Sequence, residues 1–175
     1  VSITNASGGN ARAVAELVLG CMLAVARSIP QVQATMLSGG WQRAMGWELG
    51  GKTLGIIGLG AIGRELAALA GAIGMRVIAH SRRSTPDRAA PPGVAFVSFE
   101  AVLAAADLLS LHLPTQGRVA LGEKELAALT PGAFVCNFAR GDLVDLAALA
   151  RAPHHGRPRG AALDPFPAEP PEYTH

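Results

Sequence analysis

The chain contains the stretch Lys52-Thr-Leu-Gly-Ile-Ile-Gly-Leu-Gly-Ala-Ile-Gly63, in which a short apolar segment runs directly into three spaced glycines. Gly58, Gly60 and Gly63 have the spacing G-x-G-x-x-G, and the alanine-rich residues 64–72 follow them. A short apolar run bounded by glycine is typical of a buried strand, and alanine-rich sequence is typical of a helix. The stretch therefore predicts a strand, a tight turn and the start of a helix.

This glycine spacing suits a turn that binds a dinucleotide. The first glycine allows the turn, the second lets the backbone approach a pyrophosphate, and the third lets the helix pack closely on the strand. The amides at the helix start then face the phosphates. We predict cofactor contacts from Gly58, Gly60, Ala61, Ile62 and Gly63. A glycine-rich turn without a ligand is the alternative.

The residues after the second predicted strand, 75–80, bear on the choice of dinucleotide. Ser81 lies 18 residues after Gly63, close to the position where an NAD site has an acidic residue for the ribose hydroxyls. Arg82 and Arg83 follow instead, and guanidinium groups bind a 2′-phosphate that a carboxylate would repel. We therefore favour NADP(H), with NAD(H) as the other possibility. A solvated pair of arginines is the alternative interpretation.

Predicted strands and helices alternate along the chain. Apolar runs predict strands at 53–57, 75–80, 94–97, 107–112, 133–138 and 160–164, and helical patterns occur at 10–27, 62–73, 98–105, 122–129 and 145–151. Residues 28–50 are predicted to be a connection in which Trp41 and Trp47 anchor the packing. Alternation of this kind implies an α/β fold, a Rossmann-like doubly wound parallel sheet with helices on both faces. We expect one dinucleotide-binding domain over residues 1–175.

Composition excludes several classes of partner. The net charge is only +2 and the arginines are scattered, which gives no reason to expect nucleic acid. The most apolar stretch, 13–26, is interrupted by Glu16 and is shorter than the ~20 residues of a membrane span. Cys21 and Cys136 both lie in apolar patterns and are predicted to be buried thiols, which suits a reducing compartment, and we expect the cytoplasm. We assign no metal ligands.

Candidate substrate-binding and catalytic residues in the second half of the chain follow two predicted strands. Arg140 comes directly after the run 133–138, at the sheet edge where open α/β sheets bind ligands, and a guanidinium there suits a substrate carboxylate. A structural arginine at a helix start is the alternative. Asp164 ends the last strand, and Glu169 follows five residues later in a proline-rich segment. These acids suit a nicotinamide contact and a partner for a catalytic base, although such acidic loops are often only loops.

Five motifs in this order resemble the D-isomer-specific 2-hydroxyacid dehydrogenases, in particular their NAD(P)-binding domain. They occupy residues 5–16, 40–63, 110–114, 137–145 and 162–170. The resemblance implies that Arg140 binds the substrate carboxylate and carbonyl, and that Glu169 pairs with a catalytic histidine. It further implies cofactor contacts from four residues, namely His112, Pro114, Ala139 and Asp164.

The resemblance also implies parts that this sequence lacks. In the family the catalytic histidine belongs to a Pro-His motif beyond the Glu signature, and a second domain is built from both flanks. We therefore expect a fragment that binds cofactor but has little turnover. The parent protein would resemble glyoxylate or hydroxypyruvate reductases, with bulkier 2-oxo acids also open. A cofactor-binding or dimerising module without turnover is the alternative.

One apolar stripe on a predicted helix bears on whether the chain forms a dimer. Val14, Leu17, Val18, Cys21 and Val25 share a face of the predicted helix 10–27. In the family that this chain resembles, the corresponding helix packs between subunits. We expect a homodimer, and a helix buried within one subunit is the alternative.

Overall fold

The computed structural model describes residues 8–81, 90–114, 119–152 and 156–167. Within these ranges six strands form one sheet, and every strand lies within one residue of its predicted bounds. They are β1 (Thr53–Ile57), β2 (Arg76–His80), β3 (Val94–Phe96), β4 (Leu108–Leu111), β5 (Phe134–Asn137) and β6 (Gly160–Leu163). All five strand pairings are parallel.

In the described residues, two helices precede β1 and four lie between strands of the sheet, as the alternating pattern predicts. Their bounds are α1 (Ala11–Ala26), α2 (Ile29–Leu37), α3 (Ala61–Ala72), α4 (Phe99–Ala105), α5 (Glu123–Ala127) and α6 (Leu146–Arg151), with a 3-10 turn, η1, at Gly141–Leu143. The prediction of a plain connection over residues 28–50 is wrong because α2 forms there. Pro30 lies in the first turn of α2, where no intrahelical amide is lost.

The strand order is β3-β2-β1-β4-β5-β6. The chain builds the sheet outward from β1 in one direction, and then returns to β4 on the other side of β1. The sheet therefore has a topological switch point between β1 and β4, and ligands of open α/β sheets bind outside the carboxyl ends of the strands at such a point. The Rossmann-like doubly wound prediction is confirmed.

Two apolar cores cover the two faces of the sheet. One joins α1 and α3 to the sheet through fully buried side chains such as Met22, Leu66 and Leu108. The other joins α4 and α5 to it through Val102 and Leu126, among others. Burial of one such leucine or valine stabilises the fold by roughly 1.5–3 kcal/mol. Because both faces are covered, the strands have no polar face, and this accounts for their continuous apolar sequence.

A glycine within β1 explains how closely α4 lies on the sheet. A Cβ atom at Gly55 would come within 2.6 Å of a Val102 methyl group and 2.7 Å of the Ala106 methyl group. Any side chain at this position would therefore push α4 away from β1.

The buried face of α1 differs from the predicted stripe. It consists of Ala11, Ala15, Val18, Met22 and Ala26. Leu17 is 48% exposed, while Val14, Cys21 and Val25 are half-buried. Small alanines let α1 lie close to α3, so Val14, Cys21 and Val25 pack at the edge of the core and, of the stripe, only Leu17 is exposed.

Of the two cysteines and the two tryptophans, one of each lies as the sequence predicts. Cys136 is buried and Cys21 is half-buried, and both thiols are free. Trp47 packs on Phe134 with ring centroids 6.1 Å apart, as a packing anchor should. The same prediction is wrong for Trp41, whose side chain is 79% exposed.

Among the described residues, no single helix has the length and apolar character needed to cross a bilayer. Only α1 and α2 taken together, across a bend of 65°, satisfy that test.

Candidate functional site

The fingerprint turn lies at the switch point of the sheet. Gly58 follows β1 with φ +99°, a conformation that L side chains rarely adopt. A Cβ atom there would also collide with the carbonyl oxygen of His112, which follows β4. At Gly63 a Cβ atom would come within 2.6 Å of the Gly58 carbonyl oxygen. The first and third glycines are therefore required by the packing of the turn itself.

The second glycine has a different environment. Gly60 is the N-cap residue of α3, and no side chain caps the helix there. A Cβ atom at Gly60 would meet no heavy atom within 4 Å. The amide of Arg64 donates to the Gly60 carbonyl oxygen at 3.0 Å, so the amides of the three residues between them precede the helical ladder. Gly60 is thus not needed for packing and leaves room beside a set of helix-start amides.

The open backbone at Gly60 adjoins helix-start amides of the kind that bind a pyrophosphate. The amides of Ala61, Ile62 and Gly63 belong to the first turn of α3, where the helix dipole favours negative charge. A dinucleotide phosphate would approach the backbone where a side chain at Gly60 would otherwise stand. The chain therefore brings the predicted phosphate contacts together at one end of one helix.

The end of β2 borders the same turn. The Gly58 amide donates to the His80 carbonyl oxygen at 2.9 Å, which places the half-buried Ser81 one residue beyond that contact. Arg82 and Arg83 lie outside the described residues, so their predicted phosphate contacts stay predictions. His80 itself is a packing residue, with its ring edge on Phe99 at a centroid distance of 5.8 Å.

At the end of β4, a serine and a histidine form a polar pair. Ser110 is fully buried, and its Oγ lies 2.9 Å from Nε2 of His112. Burial lowers the pKa of His112 to about 4, so the ring is neutral at physiological pH. Pro114 follows two residues later and is exposed.

The loop after β5 is organised by Asn137. Its buried side chain donates from Nδ2 to the Arg140 carbonyl oxygen at 2.7 Å and accepts from the Ala139 amide at Oδ1, 3.2 Å away. Arg140 is exposed at the start of η1, and its guanidinium donates to the Ala139 carbonyl oxygen at 2.7 Å. The main chain of Arg140 is thus fixed while its guanidinium stays at the surface.

The loop after β6 lies against the loop after β5. The Asp164 amide donates to the Asn137 carbonyl oxygen at 2.9 Å. Gly141 is buried, and a Cβ atom there would collide with the main chain of Phe166 and Pro167. Arg140 and Asp164 are therefore held on adjacent loops. Glu169 lies outside the described residues, and its pairing with a histidine stays a prediction.

The described candidate residues share the carboxyl edge of the sheet, but in two groups. Gly58, Gly60, Ser81 and His112 surround the switch point, and the Arg140 and Asp164 loops follow β5 and β6 on one side of it. In the described part of the chain, no three His, Cys, Asp or Glu side chains are grouped to hold a metal ion.

Sequence reasoning gave no role to two residues that organise this edge, Ser110 and Asn137. Both are polar side chains within otherwise apolar strands, and both are fully or almost fully buried. A polar residue near the carboxyl end of an apolar strand is a signal that the sequence offers. Its hydrogen-bond partner is visible only in the folded chain.

Comparison with known proteins extends this picture. Residues 19–175 match the family described as D-isomer specific 2-hydroxyacid dehydrogenase, NAD binding domain. The chain is 42% identical over 177 residues to a D-3-phosphoglycerate dehydrogenase of Rattus norvegicus, with 98% of this chain and 33% of that protein covered. It is 39% identical over 181 residues to a glyoxylate reductase of Thermococcus litoralis, with 97% and 55% covered.

A solved crystal structure is also similar to this chain. The crystal structure of the TT0316 protein from Thermus thermophilus matches with a TM-score of 0.88 at 38% identity, covering 98% of this chain and 56% of that one. The chain thus spans 33% to 56% of the length of these three proteins. By its sequence and its fold, the chain belongs to the D-isomer specific 2-hydroxyacid dehydrogenase family and comprises that family's NAD-binding domain.

Proposed function

We propose that this domain serves an oxidoreductase that moves a hydride between a nicotinamide dinucleotide and the C2 atom of a 2-oxo or D-2-hydroxy acid. The observation that carries the proposal is the open backbone at Gly60, beside uncapped helix-start amides at the switch point of the sheet. Family membership supports the same function. When bound, the nicotinamide supplies or accepts the hydride.

Each candidate residue has a distinct task in this proposal. The amides of Ala61 and Ile62 hold the pyrophosphate. Asn137 fixes the main chain at Arg140, and the exposed guanidinium, which also donates to the Ala139 carbonyl oxygen through Nη1, binds the substrate carboxylate through its remaining N–H groups. Asp164, on the adjacent loop, orients the nicotinamide end. Glu169 supports a histidine that carries the proton.

NADP(H) is the cofactor that we propose. The support is the sequence after β2, where Ser81 is followed by Arg82 and Arg83 in place of an acidic residue. Guanidinium groups bind a 2′-phosphate through charge-assisted hydrogen bonds. NAD(H) is the second candidate, because family membership supports nicotinamide dinucleotides in general.

We also propose a homodimer that acts in the cytoplasm, without nucleic-acid or membrane partners. The support for the dimer is a set of large apolar side chains left exposed on α1 and α2, namely Leu17, Leu23, Ile29, Met36 and Leu37. Exposed apolar surface of this kind marks protein interaction sites. Sedimentation at micromolar concentration tests the assembly: a dimer is expected, and a monomer at every concentration would refute it.

Assays of the protein encoded by the complete gene test the proposed reaction. NADPH oxidation is expected with glyoxylate, hydroxypyruvate or a bulkier 2-oxo acid, and Arg140→Ala should raise KM and lower kcat/KM by at least tenfold while cofactor affinity stays unchanged. The described chain alone should bind cofactor with little turnover. A complete protein that binds cofactor but reduces none of these acids would favour the second candidate, a cofactor-binding or dimerising module without turnover.

A further inference from the structure

The peptide bond between Phe166 and Pro167 lies directly on Gly141. A Cβ atom at Gly141 would stand 2.7 Å from the Phe166 carbonyl oxygen, and closer still to the Phe166 carbonyl carbon and the Pro167 nitrogen. All three are main-chain atoms, so no rotation of a side chain relieves the overlap. A residue with a side chain at this position would therefore push the two stretches of chain apart.

Space, and not backbone conformation, requires this glycine. Gly141 does not have a positive φ, so its backbone conformation is open to residues with a side chain. It is buried and begins η1, directly after Arg140. On the other side of the contact, Phe166 follows Asp164 by two residues. The contact thus joins the Arg140 loop, residues 138–143, to the Asp164 segment, residues 164–167.

The Arg140 loop is firmly anchored. The Arg140 carbonyl oxygen accepts two hydrogen bonds, from Nδ2 of Asn137 at 2.7 Å and from the Leu143 amide at 3.2 Å. Leu143 is buried, and its carbonyl oxygen accepts from the amides of residues 120–121 at 2.8 and 3.0 Å. The Asp164 segment lies nearer the surface, with both of its ends exposed. A methyl group on the glycine would therefore move the Asp164 segment rather than the Arg140 loop.

Resting on the proposed function, we propose that Gly141 is a positioning residue that keeps the nicotinamide end, oriented by Asp164, in register with the substrate carboxylate, held by Arg140. In the reaction a hydride leaves C4 of the reduced nicotinamide and bonds to C2 of the 2-oxo acid. The carbonyl oxygen gains a proton from the histidine that Glu169 supports, and the 2-hydroxy acid and the oxidised cofactor result.

The rate of hydride transfer is sensitive to this register. Reacting atoms must approach to about 3–3.5 Å, and a misplacement of about 1 Å can cost roughly a hundredfold in rate. Ordinary van der Waals contact of a Cβ atom begins at 3.4 Å. Relief of the overlap at Gly141 therefore demands a movement close to the one that hydride transfer does not tolerate.

Steady-state kinetics of the protein encoded by the complete gene test this role. The substrate is whichever of glyoxylate, hydroxypyruvate and a branched 2-oxo acid the unmodified protein reduces fastest, and the cofactor is the reduced dinucleotide that it binds more tightly. Gly141→Ala should lower kcat by roughly tenfold or more. Cofactor affinity, measured by calorimetric titration, should stay unchanged because the α3 amides are untouched.

An isotope effect distinguishes positioning from a merely structural role. With the cofactor deuterated at the transferred C4 position, Gly141→Ala should show an isotope effect on kcat clearly above one, because misaligned hydride transfer limits its rate. An isotope effect of one in this variant would overturn the inference, since another step would then limit the rate.

Gly160→Ala is the matched control. Gly160 begins β6, at the opposite end of that strand from Asp164. A Cβ atom there would come within 2.8 Å of the Phe134 ring, so the variant adds the same methyl group at a crowded position away from the carboxyl edge of the sheet. Its kcat should match that of the unmodified protein, and an equal loss in the two variants would overturn the inference.

Pro167→Gly tests the contact from the other side, and it decides the matter if Gly141→Ala does not fold. The proline ring fixes φ in the stretch that rests on Gly141. Because Pro167 is exposed, glycine there should loosen the Asp164 segment without unfolding the protein. We expect kcat to fall several-fold with unchanged cofactor affinity. An unchanged kcat in Pro167→Gly would overturn the inference.

The outcomes separate this inference from the proposed function. If the unmodified protein reduces a 2-oxo acid and folded Gly141→Ala keeps its kcat, the inference alone fails. A large loss of cofactor affinity in Gly141→Ala would also overturn it, because it would show damage beyond the register of the two loops. If the complete unmodified protein reduces none of the acids, the proposed function fails and the positioning role fails with it.

Discussion

Asn137 and Arg140 are joined by a hydrogen bond in which Nδ2 of the buried Asn137 side chain donates to the Arg140 carbonyl oxygen at 2.7 Å. The same side chain accepts from the Ala139 amide. A side chain at the end of β5 therefore determines the course of the loop that presents the candidate substrate-binding guanidinium. The position of Arg140 depends on a neighbour three residues earlier.

Replacing Asn137 should cost both stability and cofactor affinity. Asn137→Ala leaves the Ala139 backbone amide and the Arg140 carbonyl group without their partner. This loss should lower the free energy of unfolding by about 1–3 kcal/mol. Urea unfolding measures this loss, and NADPH titration should show weaker binding. Thr130→Ala is the control, because it removes a hydrogen bond from another loop to the Ala104 carbonyl oxygen in α4. Equal effects of the two variants on cofactor affinity would contradict the role given to Asn137.

His112 should make the stability depend on pH. Burial lowers its pKa to about 4 from the ordinary value of 6.5. Between these values the unfolded chain binds a proton that the folded chain does not, so stability is complete above pH 6.5 and is lost as the pH falls towards 4. The shift corresponds to about 3 kcal/mol at most, and partial exposure of the ring reduces it to roughly 1–3 kcal/mol.

Urea unfolding at pH 7, 6, 5 and 4.5 measures this dependence. His112→Gln should flatten the profile over that range. His80→Gln is the matched control at a second histidine, whose Nδ1 lies 3.3 Å from the Val97 carbonyl oxygen. It should leave the contribution of His112 to the pH dependence of stability in place. A profile that is unaltered by His112→Gln would be inconsistent with a buried, neutral ring.

The two thiols should react at very different rates. Burial raises the pKa of the Cys136 thiol to about 12 and also raises the pKa of the half-buried Cys21. Thiolate is the reactive form, so at pH 8 a disulfide reagent should label Cys21 slowly and Cys136 only when the chain opens. Cys21→Ser should remove the faster phase. One common rate for both thiols in the folded chain would disprove this assignment.

Cofactor preference should depend on the arginines after β2. Arg82→Ala should remove most of the preference for NADPH over NADH, since a lost charge-assisted contact weakens binding roughly ten- to a hundredfold. Titration with both cofactors measures it. Arg76→Ala, at the other end of β2, is the control and should retain the preference. Equal affinities in the unmodified chain would refute the NADP(H) proposal.

Much of the fold follows from local sequence, and the exceptions have physical causes. The strands are apolar runs bounded by glycine, proline or charge, so their bounds are predictable to within one residue. Helix α2 was not predictable from an apolar stripe because none of its side chains is buried. Trp41 misled the prediction because a large aromatic side chain is usually buried, whereas this one lies at the surface.

The candidate site was predictable in part. The glycine spacing identifies the turn, because Gly58 and Gly63 are required by its packing while Gly60 leaves the backbone open beside the helix start. The contacts of Asn137 with Arg140 and of Ser110 with His112 were not predictable from composition or periodicity. They depend on how a strand end and its loop fold back on each other, which the pattern of apolar residues does not specify.

Gly58 and Gly60 separate the demands of folding from those of binding. Gly58→Ala would place a methyl group against the His112 carbonyl oxygen in a backbone conformation unsuited to alanine, so we expect the chain to lose stability. Gly60→Ala would place the same group in open space. Its midpoint of thermal unfolding should stay within a few degrees of the unmodified value, because surface changes alter stability by about 0.5 kcal/mol.

Calorimetric titration of the unmodified chain and Gly60→Ala with NADPH and NADH tests the central claim most directly. The unmodified chain should bind at least one of them, and Gly60→Ala should lose tenfold or more in affinity while it remains folded, because its methyl group occupies the space of the pyrophosphate. Failure of the unmodified chain to bind either dinucleotide, or equal affinity in folded Gly60→Ala, would contradict the claim that this open backbone beside α3 is the cofactor site.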